Sequence, residues 1–249
     1  MSMAAGTARR LDIGKVLSDG LGAAARNFGP FFLLALLLQG VPSALLTYGQ
    51  LMAKANAGFG IFAILGGAAT LVTVPMLQGA LIYGTMRDLD GRPASITECM
   101  TVGRRHWLML LGLAILSTLA VGLGLVLLIV PGVLLALRWA VAGPLVVLEG
   151  RGIQEAMGRS ADLTRDRRWS IFLLGLIFLG LLMVVEFALT AVGAVFYGLA
   201  NSSQVSTLLS PAVNMCTSLL VYPIATALFR ELRGDQEGGD PEVLAEVFA

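Results

Sequence analysis

Six apolar runs alternate with short polar stretches along the chain, over residues 28–50, 59–86, 107–130, 132–148, 170–199 and 205–229. About 20 apolar residues suffice to carry a helix across a bilayer. No charge falls between Trp107 and Leu137, and the apolar character continues past Arg138 to Leu148. That stretch is too long for one helix and suits two. Pro131-Gly132 is the natural break, because proline lacks a backbone donor and glycine permits the turn. The fourth run is then the shortest, and it carries a second proline, Pro144. Pro75 and Pro223 are expected to kink spans two and six. The pattern predicts an all-α polytopic membrane protein with six transmembrane helices.

Polar lead-ins precede the odd-numbered runs: DIGKVL at Asp12, SITECM at Ser95 and GIQEAM at Gly152. Each opens on a good N-cap residue, and Ser95 with Glu98 makes a full capping box. Apolar residues then recur at helical spacing, as in Ile13, Val16, Leu17, Leu21 and Ala24. Each lead-in ends on a basic or amide residue beside an aromatic: Asn27-Phe28, His106-Trp107, Arg168-Trp169. This predicts three interfacial amphipathic helices, each followed by a two-helix hairpin. The arrangement reads as a threefold tandem repeat, with units of about 11–90, 91–150 and 151–233 in one transmembrane domain. Basic lead-ins in front of any polytopic protein's spans would look similar. Residues 234–249 form an acidic cytoplasmic tail, in which Asp240-Pro241 could start a short helix.

The charges orient this pattern. Fifteen of the 17 lysines and arginines fall at the termini or in the loops after spans two and four; Lys54 and Arg138 are the exceptions. The positive-inside rule then puts both termini in the cytoplasm, and the expected location is a bacterial inner membrane. Composition agrees. The chain is 57% hydrophobic and only 13% charged, with a mean hydropathy of +0.83, whereas soluble domains are about 25% charged. A net charge of +1 gives no field to attract nucleic acid. Two cysteines and one histidine leave no material for a disulfide framework or a metal site.

Arg138 raises the main functional question. An isolated arginine at the centre of a span costs about 2.5–3.5 kcal/mol on insertion scales. Glu186 is the acid that lies deep in another span, and counting helical rise from the nearest loop puts the two at comparable depth. Side chains also lean toward their helix N-terminus, which tips the two toward each other. Three readings stand. The first is an Arg138–Glu186 ion pair that locks spans four and five. The second is a polar cavity that contacts a lipid headgroup or a solute anion. The third is an arginine that snorkels without Glu186. Trp139 reads as a packing or belt aromatic. A dense basic cluster of Arg165, Arg167 and Arg168, with Arg104 and Arg105 on the preceding cytoplasmic stretch, suits topology setting and anionic headgroup binding alike.

Catalytic signatures are absent: there is no phosphate-binding loop with Lys-Ser/Thr, no HExxH and no GxSxG. No enzyme activity, cofactor or metal is expected. Pro131-Gly132, Arg138-Trp139, Pro144 and Glu149, followed by EAMGRSADLTRDRRW, resemble the membrane region that accompanies some bacterial glycerophosphoryl diester phosphodiesterases. The match is strongest from Pro131 to Trp169, with a looser echo in DIGKVLSDGLGAAARNF. Arg159-Ser160 and Leu163-Thr164 belong to that motif, and Asp166 stands where a glycine is usual. The phosphodiesterase barrel itself is missing. The resemblance therefore implies a membrane module and not the hydrolase. The expectation is a non-enzymatic membrane protein that engages anionic phospholipid in lipid or envelope homeostasis, or that serves as the membrane partner of another protein. The alternatives are a small-solute or lipid transporter with a site around Arg138, and a pure assembly or anchor subunit.

Overall fold

The computed structural model describes residues 11–54, 60–197 and 202–237. They form helices α1 (Ile13–Arg26), α2 (Phe28–Ala35), α3 (Val41–Lys54), α4 (Ile61–Leu89), α5 (Ile96–Leu127), α6 (Ile129–Arg138), α7 (Ala142–Leu148), α8 (Ile153–Leu163), α9 (Arg168–Tyr197) and α10 (Ser202–Glu237). A π-turn, Leu36–Gly40, joins α2 to α3, and a 3-10 turn, Arg165–Arg167, joins α8 to α9. Six helical stretches are long and apolar enough to cross a membrane: Phe28–Ala53, Ile61–Leu89, Ile96–Leu127, Ile129–Leu148, Arg168–Gly193 and Leu209–Gly234. The protein is an all-α polytopic membrane protein.

Two of the three lead-ins are separate helices. Asp12 caps α1 by accepting from the Lys15 N–H at 3.0 Å. Gly152 precedes α8. The Ser95–Glu98 capping box forms in both directions, but the helix it starts does not stop at the membrane. It runs on for 32 residues as α5, because nothing between Thr101 and Trp107 interrupts the backbone hydrogen bonding. The expected third interfacial helix is therefore the first part of span three. The acidic tail beyond residue 237 lies outside the described residues.

In lipid, apolar side chains gain nothing by leaving the acyl chains for one another, so helices associate through close packing of small residues. Glycines do this between several neighbouring helices. A methyl group at Gly49 would lie 2.1 Å from the Ala63 nitrogen, and one at Gly66 would lie 2.3 Å from the Leu46 nitrogen, so α3 and α4 meet backbone to backbone. Gly79 and Gly103 do the same between α4 and α5, Gly124 and Gly132 between α5 and α6, and Gly20 against Ile224 between α1 and α10. Helix α10 is the common neighbour, packing on α1, α3, α4 and α9.

Ion pairs tie one end of the bundle together. Arg26 donates to Asp88 at 2.6 and 3.1 Å, and Asn27 donates to the other Asp88 oxygen at 2.7 Å. The Asp88 bond raises the Arg26 pKa, against a smaller opposing effect of burial. Lys15 pairs with Glu231 at 2.6 Å, and Arg230 pairs with Asp90 at 3.7 Å. The adjoining core joins Leu11 and Val16 to Leu163, Ile171, Phe229 and Leu232. The charged ends of α1, α4 and α10 and the α8–α9 junction thus share a side.

Gly66→Ala should cost about 1–3 kcal/mol through backbone overlap, read as a lowered thermal midpoint in detergent. Gly175→Ala, where a methyl group meets open space, should change stability by less than about 0.5 kcal/mol. Equal midpoints would contradict the close α3–α4 contact.

Candidate functional site: a cation-lined groove beside a broken span

Span four is not one helix. The chain reverses at Leu128, which is extended at φ −159°, ψ 136°, three residues before the expected break. Pro131 falls in the first turn of α6, where its missing donor has no intrahelical role. Gly132 is the close-contact point with Leu125 on α5. The helix then stops at Arg138, turns through Trp139 to Val141 and restarts as α7. Pro144 is again in a first turn. Both prolines therefore start helices instead of bending them.

A helix that ends inside a membrane protein leaves carbonyls without partners, and each needs one. The Trp139 N–H donates to the Leu135 carbonyl at 3.2 Å. The Arg138 carbonyl is served from a different helix: Ser160 Oγ donates to it at 2.8 Å, with Thr164 Oγ1 at 3.5 Å. The single Thr164 hydroxyl proton goes to the nearer Ser160 O at 2.9 Å, so Ser160 is the working donor to Arg138 and Thr164 stands beside it. Both hydroxyl residues are fully buried, and Leu163 between them is in the core. The motif residues Ser160, Leu163 and Thr164 thus dock α8 onto the break. Glu149 pairs with Arg151 in the turn after α7, where Gly150 takes φ +64°.

Docking α8 there brings the following turn against α6. Arg165, Arg167, Arg168, Trp169, Ser170 and Phe172 form one side of a groove of about 650 Å³. Ile129, Val130, Val133, Leu134 and Leu137 form the other. The groove shares Val133, Leu137 and Phe172 with an adjoining apolar slot of about 240 Å³, which extends to Val121, Leu125, Gly132, Gly175, Leu176 and Leu179. Arg168 and Arg159 each hold a buried Nε–H that finds no hydrogen-bond partner. Arg104 and Arg105 are exposed on α5 and do not line the groove. No group of three or more histidine, cysteine or carboxylate side chains is placed to hold a metal ion among the described residues.

The expected Arg138–Glu186 ion pair does not form; both side chains are exposed. Leu137 shares the groove with Phe172, and Glu186 lies 14 residues further along α9, about 21 Å away at helical rise. Counting depth from Glu149 failed because the turn at Trp139 to Val141 breaks the rise it assumed. Trp139 is half-buried and lines a separate cavity of about 230 Å³ with Gln78, Ser117, Thr118 and Tyr222. Sequence reasoning missed those polar residues. Their spread over three different elements, α4, α5 and α10, left no local signal.

Sequence comparisons find relatives for part of this chain. A family model described as a domain of unknown function (DUF7847) matches residues 117–232, from the second half of α5 into α10. A UPF0259 membrane protein of Pectobacterium carotovorum subsp. carotovorum (strain PC1) is 32% identical over 144 residues, covering 55% of this chain and 58% of that protein. The chain therefore spans little more than half the length of the curated relative it matches. No solved structure matches. Neither match carries the phosphodiesterase-associated description.

Ser160→Ala should cost about 1–3 kcal/mol, because it strips a buried carbonyl of its short hydrogen bond. Thr164→Val on that background should cost more than additivity predicts, because it removes the hydroxyl that can turn to the Arg138 carbonyl once Ser160 Oγ is gone. Chemical denaturation of the four variants checks this. Two small, additive losses would contradict the capping role.

Proposed function

We propose that this is a non-enzymatic membrane protein that holds an anionic phospholipid in the groove between α6 and the start of α9. The observation that carries this reading is the opposition of Arg165, Arg167 and Arg168 to an apolar wall that continues into an apolar slot. A lipid is a molecule with that division. Its phosphate accepts charge-assisted hydrogen bonds from guanidinium groups, and its acyl chain needs only packing. Volume supports the reading too, since ligand sites run from about 300 to 1,000 Å³. The exposed Trp169 at the helix start suits the headgroup level.

The distribution of basic residues supports a groove on the cytoplasmic side of a bacterial inner membrane, with both termini cytoplasmic. Lipid or envelope homeostasis is the role proposed, exercised alone or as the membrane partner of another protein. Transport of a small solute is the second reading. It is favoured by the cavity beside Trp139, whose polar lining residues are uncharged.

Native mass spectrometry of the protein released from mild detergent separates the two. Wild type should carry a phosphatidylglycerol adduct, and Arg165→Gln with Arg168→Gln should weaken it about tenfold, as expected for losing charge-assisted bonds. Arg138→Ala should leave the adduct in place. An adduct lost with Arg138→Ala and kept in the double variant would shift the site to the break and overturn the groove. A fluorescent reporter fused after Ala249 should report a cytoplasmic C-terminus; a periplasmic one would invert the orientation.

A further inference from the structure

The cavity beside Trp139 shares no lining residue with the cationic groove. It lies where span four is broken. Gln78 comes to it from α4, Ser117 and Thr118 from α5, Trp139 and Ala140 from the break, and Tyr222 from α10. Its depth follows from helical rise. Gln78 is nine residues from Arg87, and Thr118 is 11 residues from Trp107, so both stand about 14–16 Å from the polar end of their helices. That is roughly half of a hydrocarbon core of ~30 Å.

Polar groups at that depth have no bulk water to turn to, and each one without a partner is costly. Ser117 donates to the Ala114 carbonyl at 3.2 Å, and Tyr222 bonds Ser218. The Gln78 amide, the Thr118 hydroxyl and the Trp139 indole N–H make no hydrogen bond among the described residues. Gln78 Nε2 lies 2.8 Å from where a methyl group on Gly143 would sit, and both residues are in the lining, so the amide reaches the break. A backbone acceptor joins these side chains. In a helix the Ala140 carbonyl would take its bond from the N–H four residues on, and that residue is Pro144, which has none. Ala140 and Pro144 both line the cavity.

These groups define the chemistry of an occupant. The indole N–H only donates, a carbonyl only accepts, and an amide and a hydroxyl do both. An occupant must therefore offer donors and acceptors together, which each hydroxyl group of a polyol does with one oxygen. No charged side chain lines the cavity among the described residues, so an ion would go unpaired there. Ile82, Leu110, Leu113 and Val221 are also in the lining and suit a carbon skeleton. The volume of about 230 Å³ falls below the ~300–1,000 Å³ of sites for drug-sized ligands, which calls for a small molecule.

We infer that this cavity is a mid-membrane binding site for a small uncharged polyol, held by Gln78, Thr118 and Trp139 beside the Ala140 carbonyl. This rests on the solute reading of the cavity and names its ligand class, and it is independent of the phospholipid groove.

The test uses the full chain in nanodiscs and reads saturation transfer by NMR to glycerol, 1-propanol and glycerol 3-phosphate, against nanodiscs without protein. The three probes share a three-carbon skeleton and differ in hydroxyl number and charge. Glycerol should receive several-fold more transfer than either of the others. Gln78→Leu should weaken glycerol binding about tenfold, and Trp139→Phe, which removes one donor, about threefold, as expected for lost hydrogen bonds. Arg104→Gln, outside the cavity, should leave glycerol binding unchanged. Equal transfer to glycerol and 1-propanol, unmoved by Gln78→Leu, means an apolar pocket and overturns the inference. Stronger transfer to glycerol 3-phosphate overturns the uncharged class and leaves the solute reading standing. No transfer to any probe means that waters alone serve these groups, and overturns both. If Gln78→Leu fails to fold, Trp139→Phe and the wild-type comparison of the three probes decide the matter.

Discussion

One carbonyl oxygen organises the functional half of this protein. Span four stops at Arg138, and a helix end inside a membrane protein must find donors for its free carbonyls. The Arg138 oxygen finds its donor in the hydroxyl of Ser160, with the Thr164 hydroxyl close beside it. That contact does more than satisfy one group. It fixes α8 against the break, and so fixes where the chain emerges from α8. The three residues that follow Thr164 form the 3-10 turn that carries two of the groove's arginines. The third opens α9. The cationic side of the groove is held in place by a hydrogen bond made to span four, whose first half forms the apolar side.

The rest of the bundle supplies a rigid frame with little recourse to polar bonds inside the membrane. Glycine contacts bring α3 to α4, α4 to α5 and α5 to α6 at near-backbone distance, which is how helices gain packing energy where the solvent is itself apolar. Polar strength is concentrated at one end, in the Arg26–Asp88, Lys15–Glu231 and Arg230–Asp90 pairs. Helix α9, like α4 and α5, buries little of its apolar stretch. It is largely exposed along its length, with Met183, Val184 and Phe187 all open, while Ile171 and Leu174 at its start are buried. It is therefore anchored at the end that forms the groove.

Much of the fold was legible in the chain. Six apolar runs gave six helices of spanning length, because length and hydropathy alone decide that. The Asp12 cap and the Ser95–Glu98 capping box formed as their residue types require. What failed was everything that depends on where a helix ends inside the membrane. Pro131-Gly132 looked like a turn, yet both residues sit in a helix, since proline fits a first turn and glycine a close crossing. The break at Trp139 to Val141 contains no glycine or proline; Gly143-Pro144 follow it, inside the first turn of α7. It invalidated the depth estimate that paired Arg138 with Glu186. Of the candidate residues, Arg165, Arg167 and Arg168 come together in one groove, and Ser160 caps the break with Thr164 beside it. Arg104 and Arg105 stand apart. The motif from Pro131 to Trp169 was visible as a string, but its physical reason, a broken helix capped by its successor, lies in contacts more than 20 residues apart in sequence.

The claim that a lipid occupies the groove is tested most directly by photocrosslinking. A phosphatidic acid carrying a diazirine in its acyl chain would be added to the protein in nanodiscs and activated, and the labelled peptides mapped by mass spectrometry. Labels concentrated on Ile129 to Leu137 and on Phe172 to Leu179, and lost in the Arg165→Gln, Arg168→Gln variant, are the predicted result. Labels spread along the exposed face of α9 around Val184 and Phe187, and unchanged in the variant, would mean that the lipid is bulk bilayer and that the groove is not a site.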